Sequence, residues 1–445
     1  MRGPLAARNR FTHPRAVAIS RPRMRSLIGG LFLALLVARP ALAGSILYAT
    51  AASQQRIDGF CLGADGTLAA TPTVQIGTAG GLPRRVLVGK DSIGNGVVLY
   101  VAQLDRIEAF RIGEHGVLHS LGDTVPVNHP HLDPRDLALS PDGKTLYVTH
   151  QGFLEAFALN ADGSLPKRFT SCVQAANAST FLDAQATSGL LYVSADDIPG
   201  RIAIYRLNAD GSLPDMGCTS NASKKTRPAF RQWDSARRRL QKPKAFVVVG
   251  DMIYVEERAL RRITAFRLQP DGTFCDAKHK DAAGNPVAPE SCGDLTYFLP
   301  TKRCERRQEK RQRQQCPSSQ TASVLQYEGM ILAPSGDTLL GTQYFQGRLD
   351  AYRLGTDSRL PGDPPVKLPE QPTFMSDKNP VMTPVRLTAT TKAVYVAGGE
   401  LDRVVAFHLN ANGVPDGQGP FSRTDEQTNS FPNDVGVAVL SGSCE

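Results

Sequence analysis

The residues of this 445-residue chain best suited to chemistry are arginines and acids at the entrance to one recurring strand. Arg84 and Arg85, Arg135 and Asp136, Lys244, Arg386, and Asn433 and Asp434 each lie just after a proline that opens an apolar run. Glu328 joins them when Pro334-Ser335-Gly336-Asp337-Thr338-Leu339 is laid gaplessly on Pro141-Asp142-Gly143-Lys144-Thr145-Leu146. Guanidinium groups grip a carboxylate or phosphate through paired N–H donors. A carboxylate held among them can serve as a general base. Glu328, Arg135 and Asp136 are therefore the catalytic candidates, and Arg84, Arg85, Lys244, Arg386 and Asp434 the ligand-binding ones. The competing reading is structural: the arginines and acids pair with one another and close a water-filled channel. His129-Pro130-His131 has ligand-type side chains but reads as a proline-stiffened loop, so no metal and no cofactor is expected.

The elements that must position these residues come from a repeat. A Leu-Tyr-Val-like strand, a short gap and a second strand recur seven times. The second strand appears as Arg56-Ile57-Asp58-Gly59-Phe60, Arg106-Ile107-Glu108-Ala109-Phe110, Phe153-Leu154-Glu155-Ala156-Phe157 and Arg201-Ile202-Ala203-Ile204-Tyr205. It returns as Arg262-Ile263-Thr264-Ala265-Phe266, Arg348-Leu349-Asp350-Ala351-Tyr352 and Arg403-Val404-Val405-Ala406-Phe407. Several strands repeated every 40–50 residues or so define a β-propeller. The expectation is all-β: seven blades of four antiparallel strands each. Asp65-Gly66, Asp162-Gly163, Asp210-Gly211, Asp271-Gly272 and Asn412-Gly413 mark the turn between third and fourth strands, where positive φ is needed. The residues that enter each first strand then line the mouth of the central channel.

The ring should close through its C-terminus. The repeat region starts on a second strand, Ile46-Leu47-Tyr48, and the missing first strand is Pro432 to Val439. That arrangement brings Cys61 and Cys444 to one end of the same blade, so a disulfide between them is expected across the seam. The remaining cysteines suggest Cys275–Cys292, Cys304–Cys316 and Cys172–Cys218, although spacing alone leaves the connectivity open. All eight cysteines follow residue 43.

Residues 1–43 read as a secretory signal, with an apolar run from Leu27 to Ala38 and a small-residue cleavage site at Ala41-Leu42-Ala43; Met24 is a plausible alternative start. Residues 44–445 are then one propeller, periplasmic or secreted, with no membrane span. The net charge of +9 is misleading. Residues 1–43 hold eight of the 51 Lys and Arg and none of the 42 acids, so the rest of the chain is nearly neutral. Specific nucleic-acid binding has no support from such a balance.

The stretch Pro134-Arg135-Asp136-Leu137-Ala138-Leu139-Ser140-Pro141-Asp142-Gly143-Lys144-Thr145-Leu146-Tyr147-Val148-Thr149 resembles the YVTN or lactonase-like seven-bladed propellers. These include 6-phosphogluconolactonase-type and carboxymuconate-lactonising proteins. The resemblance runs through all seven repeats and implies lactonase or cycloisomerase chemistry at the channel mouth. It also implies a histidine just ahead of a first strand and an Asp-Leu-Gly-x-Asp segment between second and third strands. In this chain Arg135 stands at the first place and Thr149-His150-Gln151-Gly152 at the second; His129 and His131 come several residues earlier. Quinoprotein propellers, which repeat tryptophan motifs, do not fit a chain whose one tryptophan is Trp233.

Two basic insertions stretch the repeat, at about 216–243 and 273–322. The first carries Trp233, Arg237, Arg238 and Arg239, the second Arg306, Arg307 and Arg311. Residues 216–243 and the basic run 301–316 each connect a fourth strand to the next first strand, so both emerge beside the channel mouth. They fit an anionic small molecule, polysaccharide or acidic protein. The leading expectation is thus a monomeric binding or scaffold module that uses this basic face. A lactone hydrolase or carboxymuconate-type cycloisomerase at the mouth is the alternative.

Overall fold

The computed structural model describes residues 44–78, 81–91, 96–121, 125–126, 134–174, 181–195, 201–214, 242–258, 262–272, 294–297, 327–343, 348–354, 384–399, 402–416, 422–424, 432–440 and 444. All of them belong to the unit Pro40–Glu445. The signal segment, His129-Pro130-His131, Trp233 and the arginine clusters of both insertions lie outside the described residues.

Valine and leucine are the commonest residues of the second strands, which suits strands covered on both faces. Ser45–Ala51, Val97–Gln103, Thr145–Thr149, Leu190–Ala195, Met252–Glu257, Thr338–Gln343 and Ala393–Gly398 are buried almost throughout. Each sits inside one of seven antiparallel sheets. Blade one orders Val435–Val439, Ser45–Ala51, Arg56–Leu62 and Val74–Gly77. The expected closing strand is therefore in place, in register Ser45 to Val439 through Ala49 to Val435. Blades four and six show three described strands each. In blade five, Asp294–Tyr297 pairs with Arg262–Arg267 as the fourth strand. That strand lies within the stretch 273–322 and ahead of the basic run 301–316, which is outside the described residues.

The seven first strands touch in sequence around a closed circle. Val435–Val439 meets Pro83–Lys90, then Asp136–Leu139, Phe181–Thr187, Pro243–Val249, Tyr327–Leu332 and Pro384–Ala389, which returns to Val435–Val439. Seven apolar clusters fill the seven gaps between neighbouring blades. Phe60, Phe157 and Phe407 are wholly buried there, each contributing about 2 kcal/mol of apolar transfer.

A tyrosine latch repeats across these gaps. The hydroxyl of Tyr48 donates to the Gly116 carbonyl of the next blade at 2.5 Å, Tyr100 to Gly163 at 2.9 Å, Tyr147 to Gly211 at 2.6 Å and Tyr192 to Gly272 at 2.7 Å. Tyr395 donates to Gly66 at 2.8 Å and so crosses the seam from blade seven to blade one. Blade six has Leu340 at that place, and Thr338 reaches the Asn412 carbonyl instead, at 2.6 Å. Glycine is required in these turns for two reasons. Gly272 has φ +76°, and a Cβ there would lie 2.1 Å from Leu190 Cδ1.

Cys61 and Cys444 form the expected disulfide, with Cα atoms 5.6 Å apart. Cys172 is also disulfide-bonded; its proposed partner Cys218 lies outside the described residues, as do Cys275, Cys292, Cys304 and Cys316.

Candidate functional site

The first strands begin irregularly, and the irregularity is where the charges stand. Pairing slips between Pro83 and Arg85, Phe181 and Ala184, Pro243 and Phe246, Tyr327 and Gly329, and Pro384 and Leu387. A bulge re-aims side chains and leaves backbone groups without their ladder partners. Arg84, Asp183, Lys244, Glu328 and Arg386 all occupy these bulges.

Hydroxyls from the second strands hold the irregular backbone. Thr50 Oγ1 accepts from the Asn433 and Asp434 amides, at 2.8 and 3.1 Å. Ser194 Oγ accepts from Asp183 N at 3.0 Å and donates to the Lys244 carbonyl of the next blade at 2.7 Å. Thr342 Oγ1 accepts from Gly329 N at 3.1 Å and reaches the Val385 carbonyl at 3.3 Å. Carboxylates do the same from blade to blade. Asp434 accepts from Val86 N at 3.0 Å, and Asp136 from Ala184 N at 2.9 Å.

The side chains then converge. Arg386 of blade seven bonds Asp183 of blade four and lies 3.6 Å from Asp136 of blade three. In a ring of seven, those blades are opposite blade seven, so this arginine bridges the channel. Arg85 lies 3.6 Å from the same Asp136 oxygen. Its Nε and Nη1 donate to the carbonyls of Arg135 and Arg84, at 2.7 and 3.1 Å. On the remaining side, Glu328 is clamped between Lys244 and Arg258, the latter at 3.1 Å.

These groups are nearly dry. The side chains of Arg85, Asp136, Lys244 and Arg386 are about 15 % exposed, Asp183 and Glu328 7 %. Charge in such a place is costly to ionise without compensation. Burial pushes the Asp136 carboxyl up to about 7; Arg386 pulls it back, Asp183 adds repulsion, and Arg85 again favours the anion. Burial also raises Asp434, against the pull of Arg85 and Arg386. Burial pushes the Lys244 ammonium down to about 7, with Arg258 as the next cause. Arg386 is buried too, but Asp183, Asp136 and Asp434 outweigh that and hold it firmly protonated. A carboxyl that changes protonation near neutrality between two guanidinium groups can take and return a proton while they bind an anion.

Of the residues singled out from sequence, Arg85, Asp136, Lys244, Glu328, Arg386 and Asp434 meet at the mouth. Arg84 and Arg135 stand half-buried at the same strand starts and offer Arg85 their carbonyls. Both structural pairing and a charged mouth are therefore present together. Asp183 and Arg258 escaped the proline alignment. Blade four has Phe181 where other blades have proline, but counting back in register from Leu191-Tyr192-Val193 through the tight Ser188-Gly189 turn reaches Asp183. Arg258 follows directly on the second strand of blade five, and only the folded channel brings it to Glu328. His150 is sealed from solvent against Glu155 at 3.0 Å.

No family model matches the sequence, and no curated protein is similar to it. Solved structures are similar in fold. A periplasmic gluconolactonase from Pseudomonas aeruginosa superimposes with a TM-score of 0.58 at 14% identity, over 89% of this chain and 100% of that one. The fold is that of the lactonase-like seven-bladed propellers. Candidate 6-phosphogluconolactonases from Bacteroides uniformis and Bacteroides fragilis give TM-scores of 0.59 and 0.58 at 14% and 15% identity. Each covers 89% of this chain, against 99% and 98% of those chains.

Proposed function

We propose that this protein is an exported lactone hydrolase with its site at the channel mouth. The observation that carries the reading is Asp136, a barely exposed carboxyl pushed up to about 7 and faced by Arg85 and Arg386. Lactonase-like neighbours favour this over a binding or scaffold role, and the arginine clusters of the basic insertions, on which that role rested, lie outside the described residues. The Cys61–Cys444 disulfide and the periplasmic neighbour fit an oxidising compartment.

In the proposed reaction a water attacks the lactone carbonyl carbon, and the Asp136 carboxylate accepts its proton. Arg85 and Arg386 stabilise the oxyanion that forms. The ring C–O bond then breaks, the alkoxide takes the proton back from Asp136, and the new carboxylic acid ionises. Glu328 keeps Lys244 and Arg258 in place on the opposite wall. A pH-stat assay on a panel of aldonolactones and simple γ- and δ-lactones tests this, corrected for spontaneous opening. Asp136→Asn should lose about 100-fold or more in kcat, the usual scale for a general base. No turnover by the wild type, or unchanged turnover in Asp136→Asn, would remove the enzyme reading.

A further inference from the structure

Among the groups that meet at the mouth, four cations face four carboxylates: Arg85, Lys244, Arg258 and Arg386 against Asp136, Asp183, Glu328 and Asp434. The partners are not held equally. Asp183 is hydrogen-bonded to Arg386 through both oxygens. Glu328 is gripped by two cations. Asp434 is occupied by the amides of Val86 and Val435, each at 3.0 Å. Asp136 is the loosely held member. One of its oxygens accepts from Ala184 N, while the other faces both guanidinium groups at 3.6 Å, beyond hydrogen-bonding distance. Arg386 Nε is buried with no hydrogen-bond partner among the described residues. Arg85 and Arg386 thus flank a carboxylate that hydrogen-bonds to neither of them.

We infer that the mouth binds a small monocarboxylate on the Arg85–Arg386 pair in place of Asp136, and takes up one proton from solvent as it does so. The ligand's two oxygens meet the donors that remain once Arg85 Nε and Nη1 hold the Arg135 and Arg84 carbonyls and Arg386 Nη1 and Nη2 hold Asp183, namely Arg85 Nη2, Arg386 Nε and the second N–H of Arg386 Nη2, and charge balance is kept because the displaced Asp136 becomes neutral. The surroundings of Asp136 support that exchange. From the first strand of blade two it is faced by Arg85, from that of blade four by Asp183, and across the channel by Arg386. Its own blade offers Thr149 on the paired strand and then His150, which pairs with Glu155. Burial already favours its protonated form near neutral pH. Carboxylate is the class that these donors match, because an isosteric group already stands between the same arginines.

The inference rests on the proposed placement of the site but not on turnover. It makes the hydroxy-acid product a ligand whose release is coupled to proton release. The test is calorimetric titration of the whole protein with gluconate at pH 6 and pH 8, in two buffers of different ionisation enthalpy. If binding requires a protonated group titrating near 7, affinity should be about tenfold weaker at pH 8, with close to one proton absorbed per ligand at that pH. Asp136→Asn should bind about equally at both pH values and absorb no proton. This variant also separates Asp136 from Lys244, which titrates in the same range but faces Glu328 and Arg258. Arg386→Lys should bind at least about tenfold more weakly, since it keeps the charge and loses the fork. Equal affinity at both pH values, pH dependence that survives in Asp136→Asn, or tighter binding of inorganic phosphate than of gluconate would each overturn the inference. Proton-linked gluconate binding without lactone turnover would sink only the hydrolase reading. Turnover without proton-linked binding would sink only this one.

Discussion

Replacing Asp136 by asparagine should make the protein more stable at neutral and alkaline pH. An aspartate that titrates at 3.8 when unfolded and at about 7 when folded retains a proton, between those values, that the unfolded chain has released. Stability therefore falls as pH rises through that window. The full cost of ionising the folded group is about 4 kcal/mol, at about 1.4 kcal/mol per pH unit of displacement. Asparagine copies the shape of the neutral carboxyl, keeps an acceptor for Ala184 N and avoids this cost. Arg386 retains Asp183 as its partner. Urea unfolding of both proteins at pH 4, 6 and 8 checks the reasoning. The two should be nearly equal at pH 4, and the variant should gain progressively, by up to about 4 kcal/mol at pH 8. A variant less stable than wild type at pH 8 would refute it. In that event the ion pairs to Arg85 and Arg386 outweigh burial, and Asp136 is a structural counter-ion.

Three other outcomes follow from the same contacts. Tyr395→Phe should cost about 1–3 kcal/mol, because the buried Gly66 carbonyl loses its donor at the seam; thermal unfolding measures it. Replacing Cys61 and Cys444 together by serine should cost up to about 5 kcal/mol by opening the covalent closure of a 383-residue span, and hydrogen exchange should rise first in Val435–Val439. Ser194→Ala leaves the Asp183 amide without its acceptor, so both stability and gluconate affinity should fall, while Ser194→Thr should restore them; a variant that binds gluconate normally would show that this hydroxyl does not position the mouth.

The fold was legible because a repeat repeats its reasons. Seven copies of the Leu-Tyr-Val and Arg-Ile-x-Ala-Phe strands needed seven equivalent sheets, and the orphan strand at Pro432–Val439 had one place to go. Closure through Cys61 and Cys444 followed from strand direction. The site was legible in part. Proline marked the entry to the first strand in several blades, so Arg85, Asp136, Lys244, Arg386 and Asp434 were found. Asp183 was hidden because Phe181 replaces that proline. Arg258 was hidden because its partner, Glu328, belongs to the next blade. The latch tyrosines recur at one place in the repeated strand, but their hydroxyl contacts cross between blades and have no fixed sequence spacing. The bulges that aim the charges are register slips, which an alternating pattern read strand by strand does not record.

The most direct test of the account is the pH–rate profile of lactone hydrolysis between about pH 5 and 9, for wild type and Asp136→Asn side by side. The wild-type rate should rise with a midpoint near 7, as the Asp136 carboxyl ionises, and the variant should lack this limb. A wild-type rate no faster than spontaneous opening, or the same limb in both proteins, would contradict the account.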